Sequence, residues 1–245
     1  MSGWIEDDRT EWEKSELDGI GYNRRLDENR EIIEIYFYSG DGEKIKQLDF
    51  LPHTLKKLSL PYNYKHPICN LPNSLLNLRA YMYYNYIEYP NNLVELHLGF
   101  NKANLQISFG DKMDDIKYFD CSILPRTLKK FWLIGDKSLT MNINKLPDLH
   151  KLVLNEITLI NEVYELPASL RIFEYYGTYI GGLMIKRYPD FLEECVIIAR
   201  KDRLGFGENI FTKGLRSLRI KCVNIEEIRE KVKYLDDCKM ELSYF

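Results

Sequence analysis

The chain has 245 residues and a nearly balanced charge, with 34 Lys and Arg against 37 Asp and Glu and a net charge of −3. This balance argues against a nucleic-acid-binding protein, and no apolar run approaches the ~18 residues that a membrane span needs. The acidic N-terminus differs from the basic and then apolar start of a signal peptide, so we expect a cytoplasmic protein; five cysteines, an odd number, fit free thiols.

Residues 1–30 are predicted to form an N-terminal cap. Thr10 and Glu13 have the spacing of a capping box and Gly19 is a suitable stop, so we expect a short helix over 11–18. The first turn of a stacked repeat protein needs a shield over the open end of its sheet. We favour this role over that of a partner-binding peptide.

From residue 31 onwards the sequence repeats an apolar string, LxxLxL, usually a few residues after Leu-Pro. In the clearest copy, Leu55, Leu58 and Leu60 follow Leu51-Pro52. The string begins at Leu55, Leu75, Leu93, Leu128, Leu149, Leu170, Leu192 and Leu215, with a degenerate earlier copy at Ile32. Successive clear copies are 18 to 23 residues apart, except for one interval of 35 residues.

A period of this length is typical of leucine-rich repeats, in which each turn adds one short strand to a parallel sheet. Burial of each inward Leu, Phe or Ile contributes roughly 1.5 to 3 kcal/mol, but only when a neighbouring turn covers it. The recurrent proline disfavours a helical return leg. We therefore predict a strand-dominated α/β repeat solenoid over 31–223, a leucine-rich-repeat arc with one parallel sheet, extended or 3₁₀ return legs and short terminal capping helices.

The long interval, residues 99–127, is predicted to be irregular. It contains a weaker copy of the string at Ile116, Phe119 and Cys121. The sequence leaves open whether this is an extra turn or an insertion between two regular turns.

Residues 224–245 are predicted to form the C-terminal cap. Asn224 and Glu227 have capping-box spacing at the start of a helix, and Met240, Leu242 and Tyr244 alternate as in a possible last strand. The apolar face of the helix comprises Ile225, Ile228, Val232 and Leu235. This face should lie over the last strands.

The motif Leu-Pro-x-Ser/Thr-Leu-x-x-Leu recurs over about 51–220. It resembles the FNIP subclass of leucine-rich repeats found in slime moulds and giant amoebal viruses, and more loosely the LPX repeats of bacterial effectors. Residues 60–68 resemble the FNIP tail, and Gly99-Phe100-Asn101 is a second partial match. The resemblance implies protein interaction. In viral members the repeats often follow an F-box, but the ~30 residues before the first strand are too few for three helices. We therefore expect a host-interaction or substrate-recognition protein without an F-box.

No pattern of a catalytic, cofactor or metal site is recognised. His53, His66, His97 and His150 lack the spacing of a metal or nucleophile motif, and a solvent-facing side chain is favoured over a catalytic base for His97. Gly181-Gly182 and Gly205-Phe206-Gly207 are interpreted as turns, since neither has phosphate-loop spacing. The aromatic run 81–89 could stack bases or sugars, but we favour loop packing.

The exposed face of the sheet is the candidate binding surface. In LxxLxL, the second, third and fifth positions face the solvent or lie at its edge, and over the eight clear turns they carry nine basic and four acidic residues. This excess of basic residues on the exposed face could simply keep the sheet soluble, or it could steer an acidic protein partner. The predicted contacts are Lys57, Arg79, His97, Lys130, Trp132, Lys151 and Arg219, with Trp132 as the aromatic anchor.

Three functions follow, in order of preference. The leading hypothesis is a non-catalytic module that binds a protein partner, with an acidic surface, through the exposed sheet. The alternative is a nucleic-acid or polyanion binder using the same basic face. The third is an enzyme with an unrecognised site in 99–127. The oligomeric state and the identity of the partner are not determined by the sequence.

Overall fold

The computed structural model describes most of the chain. The described residues are 12–17, 20–37, 48, 51–61, 64, 66–81, 87–100, 117–135, 138–142, 145–156, 158–159, 163–177, 184–199 and 211–244. In them, the strands are β1 (Trp12–Leu17), β2 (Ile20–Leu26), β3 (Ile32–Phe37), β4 (Lys57–Ser59), β5 (Asn77–Ala80), β6 (Glu95–Phe100), β7 (Lys117–Phe119), β8 (Lys130–Gly135), β9 (Ser138–Met141), β10 (Lys151–Asn155), β11 (Thr158–Leu159), β12 (Val163–Glu165), β13 (Ile172–Gly177), β14 (Met184–Arg187), β15 (Glu194–Ala199), β16 (Ser217–Lys221) and β17 (Lys239–Ser243), and one α-helix, α1, spans Ile225–Val232.

Twelve of these strands form one sheet, in the order β1-β2-β3-β4-β5-β6-β8-β10-β13-β15-β16-β17. Every pairing from β3 to β17 is parallel, and the partners are the same positions of successive strings, such as Leu58 opposite Leu78 and Leu78 opposite Leu96. The predicted strand-dominated repeat solenoid is confirmed. The sheet is in register because each turn must cover the apolar side chains of the turn before it.

The first, fourth and sixth positions of the string point inward and form the core. Leu55, Leu75, Leu96 and Phe131 are each fully buried, and the pattern continues through the later turns. One continuous apolar cluster therefore runs behind the main sheet from Ile35 to Leu235.

A proline before the first leucine builds a turn at the start of six rungs, with the motif Leu-Pro-x-Ser/Thr-Leu in four of them and a Tyr-Pro variant in two. The proline carbonyl accepts a hydrogen bond from the amide of the first leucine three residues later, as between Pro72 and Leu75 at 3.0 Å. The hydroxyl before that leucine donates to the carbonyl of the first string position in the preceding rung. These hydroxyl bonds are Thr54 to Ile32, Ser74 to Leu55, Thr127 to Leu93 and Ser169 to Leu149, at 2.7–2.9 Å. We call this series the hydroxyl ladder.

Where the structure describes them, the return legs are extended or 3₁₀, as predicted. β7, β9 and β11 form a three-stranded parallel sheet, β12 and β14 form a two-stranded one, and Cys121–Ile123 is a 3₁₀ helix. Proline disfavours a helix in these described return segments.

The long interval adds no rung to the main sheet. β6 pairs directly with β8, with Leu96 opposite Phe131. Of the weaker copy, Phe119 lies in β7 of the second sheet and Cys121 in the following 3₁₀ helix. Of the open alternatives, the structure shows an insertion between two regular turns. Residues 101–116 lie outside the described part.

The N-terminal helix predicted over 11–18 is wrong. β1 and β2 form an antiparallel hairpin that continues the main sheet through β3. Glu13 lies opposite Arg24 and accepts hydrogen bonds from its Nε and Nη2 at 3.0 and 2.8 Å. The glutamate of the supposed capping box therefore forms a cross-strand ion pair, and the backbone gains a sheet partner that an isolated two-turn helix lacks.

At the other end, α1 follows Asn224 and packs Ile225, Ile228 and Val232 into the core. The Asn224 side chain does not cap the helix backbone; its Nδ2 donates instead to Glu227 at 3.1 Å. After the helix, β17 joins β16 as a parallel edge strand.

Candidate protein-binding site

The parallel register places outward side chains from distant parts of the sequence in rows across the strands. One row runs from Arg79 through His97 and Trp132 to Val153, and the row beside it contains Glu95, Lys130 and Lys151. We call Arg79, Tyr81, Glu95, His97, Lys130, Trp132 and Lys151 the central cluster. It is assembled because neighbouring parallel strands are only ~4.8 Å apart.

His97 is the buried centre of this cluster, which corrects the prediction of a solvent-facing side chain. Its exposed fraction is 8 %, because its ring stacks on Trp132 at 4.1 Å and 7° and meets the edge of Tyr81 at 6.5 Å. Nε2 lies 2.8 Å from Glu95 Oε1, and Nδ1 lies 3.5 Å from the Tyr81 hydroxyl. The sequence missed this burial because the covering rings belong to other turns.

The electrostatics of the cluster keep His97 neutral and Glu95 ionised. Burial lowers the pKa of His97, and the nearby Arg79 and Lys130 charges act in the same direction, against the hydrogen bond to Glu95. Burial alone would raise the pKa of Glu95, but hydrogen bonds from His97 and Asn77 and the charge of Lys130 lower it to about 2. Neutral His97 therefore donates through Nε2 to the carboxylate and accepts at Nδ1 from Tyr81.

Trp132 is held between two side chains. His97 stacks on its ring, and Lys151 Nζ lies 5.5 Å from the ring centroid. Lys151 is in turn 2.5 Å from Glu174, which accepts a hydrogen bond from the Tyr176 hydroxyl at 2.9 Å. The indole is half-buried and fixed before any partner arrives.

The predicted basic surface is a lattice of ion pairs. Glu95 is shared by Arg79 at 3.9 Å and Lys130 at 3.6 Å, and both cations approach it from neighbouring strands. Lys57 and Arg219 are paired with Glu34 and Glu241. Each basic residue among the seven predicted contacts therefore has an acidic partner. The face cannot be treated as free positive charge.

The two remaining predicted contacts lie on either side of the central cluster. Lys57, on β4, is 2.9 Å from Glu34, and Arg219, on β16, is 2.7 Å from Glu241. Their acidic partners are on β3 and β17, strands that the eight clear strings did not include. The structure therefore brings together Arg79, His97, Lys130, Trp132 and Lys151, and places the other two apart from them.

Glu95, Glu174, Tyr81 and Tyr176 were missed as members of the surface. The signal was present for the two acids, which occupy outward string positions in the aligned repeats. Both tyrosines lie one residue beyond the sixth position of the string, and Tyr81 was considered only as part of the aromatic run 81–89.

The described residues give little support to the enzyme and metal-site interpretations. Both ring nitrogens of His97 are engaged, and His53 and His150 are exposed on other turns. In the described ranges no group of three or more His, Cys, Asp and Glu side chains is arranged for a metal ion. No helix there is long and apolar enough to cross a membrane.

Several sequence features fall partly or wholly outside the described residues. Gly181-Gly182 and Gly205-Phe206-Gly207 lie outside them, as does 82–86 of the aromatic run. Of that run, Ile87 is buried and bridges Ile68 across turns. Burial also raises the pKa of the Tyr89 hydroxyl well above its usual value. These two residues pack against the solenoid rather than forming an exposed platform.

The coordinates define a repeat solenoid of the leucine-rich-repeat kind. No protein-family model matches the chain, and no curated protein matches it. A solved structure described as that of CroV588, "a novel circular LRR protein structure", is similar over 81% of this chain and 35% of that one, with 18% identity and a TM-score of 0.42. This chain therefore spans about a third of that protein's length.

Proposed function

We propose that this protein is a non-catalytic interaction module that binds an acidic protein surface through the outward face of its main sheet. The central cluster carries the proposal: an aromatic side chain, Trp132, is fixed by His97 and Lys151 on a sheet whose register is set by the core. A large ring held in place loses little conformational freedom on binding, which is the property of an interface anchor.

The ion pairs change how charge contributes to this proposal. Lys130 is half-exposed and 3.6 Å from a carboxylate that it shares with Arg79 and His97. Two cations around one carboxylate leave a local positive surplus, which an acidic partner would complement. Such charges favour association rate and specificity over affinity, so the ring remains the main source of binding energy.

The same pairing lowers support for a nucleic-acid or polyanion ligand. Affinity for a polyanion depends on many unpaired cations that displace counterions, whereas the described basic contacts have carboxylate partners. Retention on heparin at low salt is the direct test, and we expect none.

We also propose that the repeats are of the FNIP type and act in the cytoplasm, as a host-interaction or substrate-recognition subunit. The hydroxyl ladder supports the first point, because it gives the Ser/Thr of the motif a structural role at four turns. All five cysteines are free, and Cys121, Cys195 and Cys222 are buried, which suits a reducing compartment.

Replacement of the anchor tests the proposal. Trp132→Ala should weaken partner binding by about 2 kcal/mol, roughly thirtyfold in dissociation constant, because the buried ring area is lost. Partners retained by the parent protein from its native cell are identified by mass spectrometry and their affinities measured by calorimetry. Leu76→Ala, which removes a side chain that is 41% exposed in the turn just before β5, is the control. Equal affinities for parent and Trp132→Ala would contradict the placement of the site.

A further inference from the structure

A second feature departs from the repeat pattern at the edge where the strands begin. The residue before the first leucine of a string is a ladder hydroxyl at Thr54, Ser74, Thr127 and Ser169, and a polar or small residue at Asn92, Asp148 and Gly214. At the turn before β15 it is a large apolar one, Phe191. The Phe191 side chain is 71% exposed. The fold gains neither a ladder hydrogen bond nor core burial from a phenyl ring at this position.

The neighbours of Phe191 in the flanking turns are small. Pairing of Ile172 with Glu194 and of Glu194 with Ser217 puts Phe191 level with Ser169 on one side and Gly214 on the other. Gly214 has no side chain with which to cover the ring on this side. The Phe191 ring therefore projects from the edge of the sheet between a serine and a glycine.

Two residues after Phe191, a carboxylate is shared by two arginines. Arg171 Nη1 lies 2.7 Å from Glu193 Oε1, and Arg216 Nη1 lies 3.5 Å from Glu193 Oε2. Backbone hydrogen bonds of 2.8 Å, from the Glu193 amide to Arg171 and from the Arg216 amide to Glu193, hold the three residues in one row. The Arg216 side chain is 77% exposed and only loosely paired.

The charge around the ring is positive. Two guanidinium groups share the Glu193 carboxylate, and Asp190 is 2.6 Å from Arg187. Glu194 adds one exposed carboxylate and Lys213 one exposed cation, so four basic residues face three acidic ones. A guanidinium with unused donors prefers a carboxylate and can bind it through two parallel hydrogen bonds. An exposed ring beside such a group matches a partner that carries both an apolar and an acidic side chain.

We infer that Phe191 and Arg216 form a second docking site, at the strand-start edge, for an acidic protein segment that packs an apolar side chain on Phe191 and gives a carboxylate to Arg216. Arg171 and Glu193 are positioning residues, because their tight pair leaves Arg216 as the cation available to the partner. The site is separate from the central cluster and does not require it.

A random peptide library displayed on phage, selected on the full chain, supplies the probe. The enriched peptides are expected to combine Asp or Glu with a large apolar residue, and a synthetic copy is measured by fluorescence anisotropy. Phe191→Ser and Arg216→Glu should each raise its dissociation constant at least about tenfold. Lys130→Glu, which changes a cation of the central cluster, and Trp132→Ala should leave it within about twofold.

The Phe191→Ser variant separates binding from folding, since it restores the residue type of the hydroxyl ladder. Its thermal unfolding midpoint should equal or exceed that of the parent protein. The inference is overturned if no peptide is enriched over selection on Phe191→Ser, if the enriched peptides lack carboxylates, or if Trp132→Ala abolishes binding while Phe191→Ser does not. The last outcome would leave the central cluster as the binding site.

Discussion

The inward and outward faces of the main sheet differ in what fixes their side chains. Inward residues such as Leu58, Leu78 and Leu96 are buried by the turn beside them, and any apolar residue of suitable size would serve. Outward residues such as His97 and Trp132 are fixed by specific partners on neighbouring strands. In this solenoid, the core determines the register of the strands, and the register determines which polar side chains contact each other.

The largest effect should come from the inward face. Leu96→Ala is expected to lower the free energy of unfolding by about 3 kcal/mol, because Leu96 is fully buried and its loss leaves a cavity between two rungs. Urea unfolding followed by circular dichroism measures the change. Leu76→Ala, at an outward and exposed position, should cost less than about 0.5 kcal/mol. Similar losses in both variants would contradict the difference between the faces.

On the outward face, Glu95→Gln should cost about 2 kcal/mol at pH 7, because it removes the carboxylate that binds His97 and two cations. The pKa of Glu95 is about 2 in the folded protein against an ordinary 4.5. The stabilisation is therefore complete above pH 4.5 and is lost as the pH falls towards 2.

Urea titrations at pH 7 and pH 3 test this window for Glu95. The difference between parent and Glu95→Gln should shrink at the lower pH. Glu194→Gln, at an exposed position of the same outward row, should show little difference at either pH. A Glu95 effect that does not change with pH would show that the charge of this carboxylate contributes nothing.

The core behind the main sheet contains a polar group, the Tyr188 hydroxyl, whose removal should have the opposite effect on stability. Among the described residues, the Tyr188 hydroxyl is a buried side-chain group without a hydrogen-bond partner, and the ring stacks on Phe211 at 4.5 Å. Tyr188→Phe should therefore stabilise the protein by about 1 kcal/mol.

The matched control for Tyr188 is Tyr234→Phe. The Tyr234 hydroxyl donates to the Phe211 carbonyl at 3.0 Å and accepts from the Phe211 amide at 3.0 Å, so its loss should destabilise by about 1 kcal/mol. Differential scanning calorimetry of both variants gives the signs. Destabilisation by Tyr188→Phe would mean that its hydroxyl is satisfied in solution.

The smallest effect concerns the hydroxyl ladder, which links successive rungs. Ser169→Ala should cost about 0.5–1 kcal/mol, because the Leu149 carbonyl loses a donor at 2.9 Å while the packing volume hardly changes. Ser74→Ala should give a similar loss, and Ser217→Ala, outside the ladder, should not. If all three serine variants unfolded at the same urea concentration as the parent, the ladder would have no stabilising role.

The repeat spacing was sufficient to predict the fold and the core. The string beginning at Leu55 and its later copies place every inward residue correctly, because burial on the inward face follows from apolar character and spacing. The prediction of a helix from the capping-box pattern at Glu13 failed. That local pattern competed with a sheet edge that only the folded repeats provide. Local signals are reliable here only where no distant strand offers a better partner.

For the candidate site, the sequence determined which side chains face outward, and the tertiary structure decided what they contact. Trp132 and Lys151 were identified from their string positions, but the burial of His97, the sharing of Glu95 and the pairing of Lys57 with Glu34 depend on which strands become neighbours. The physical reason is that apolar burial is non-directional and can be read from spacing, whereas hydrogen bonds and ion pairs require specific atoms within about 3 to 4 Å, which only the packed strands fix.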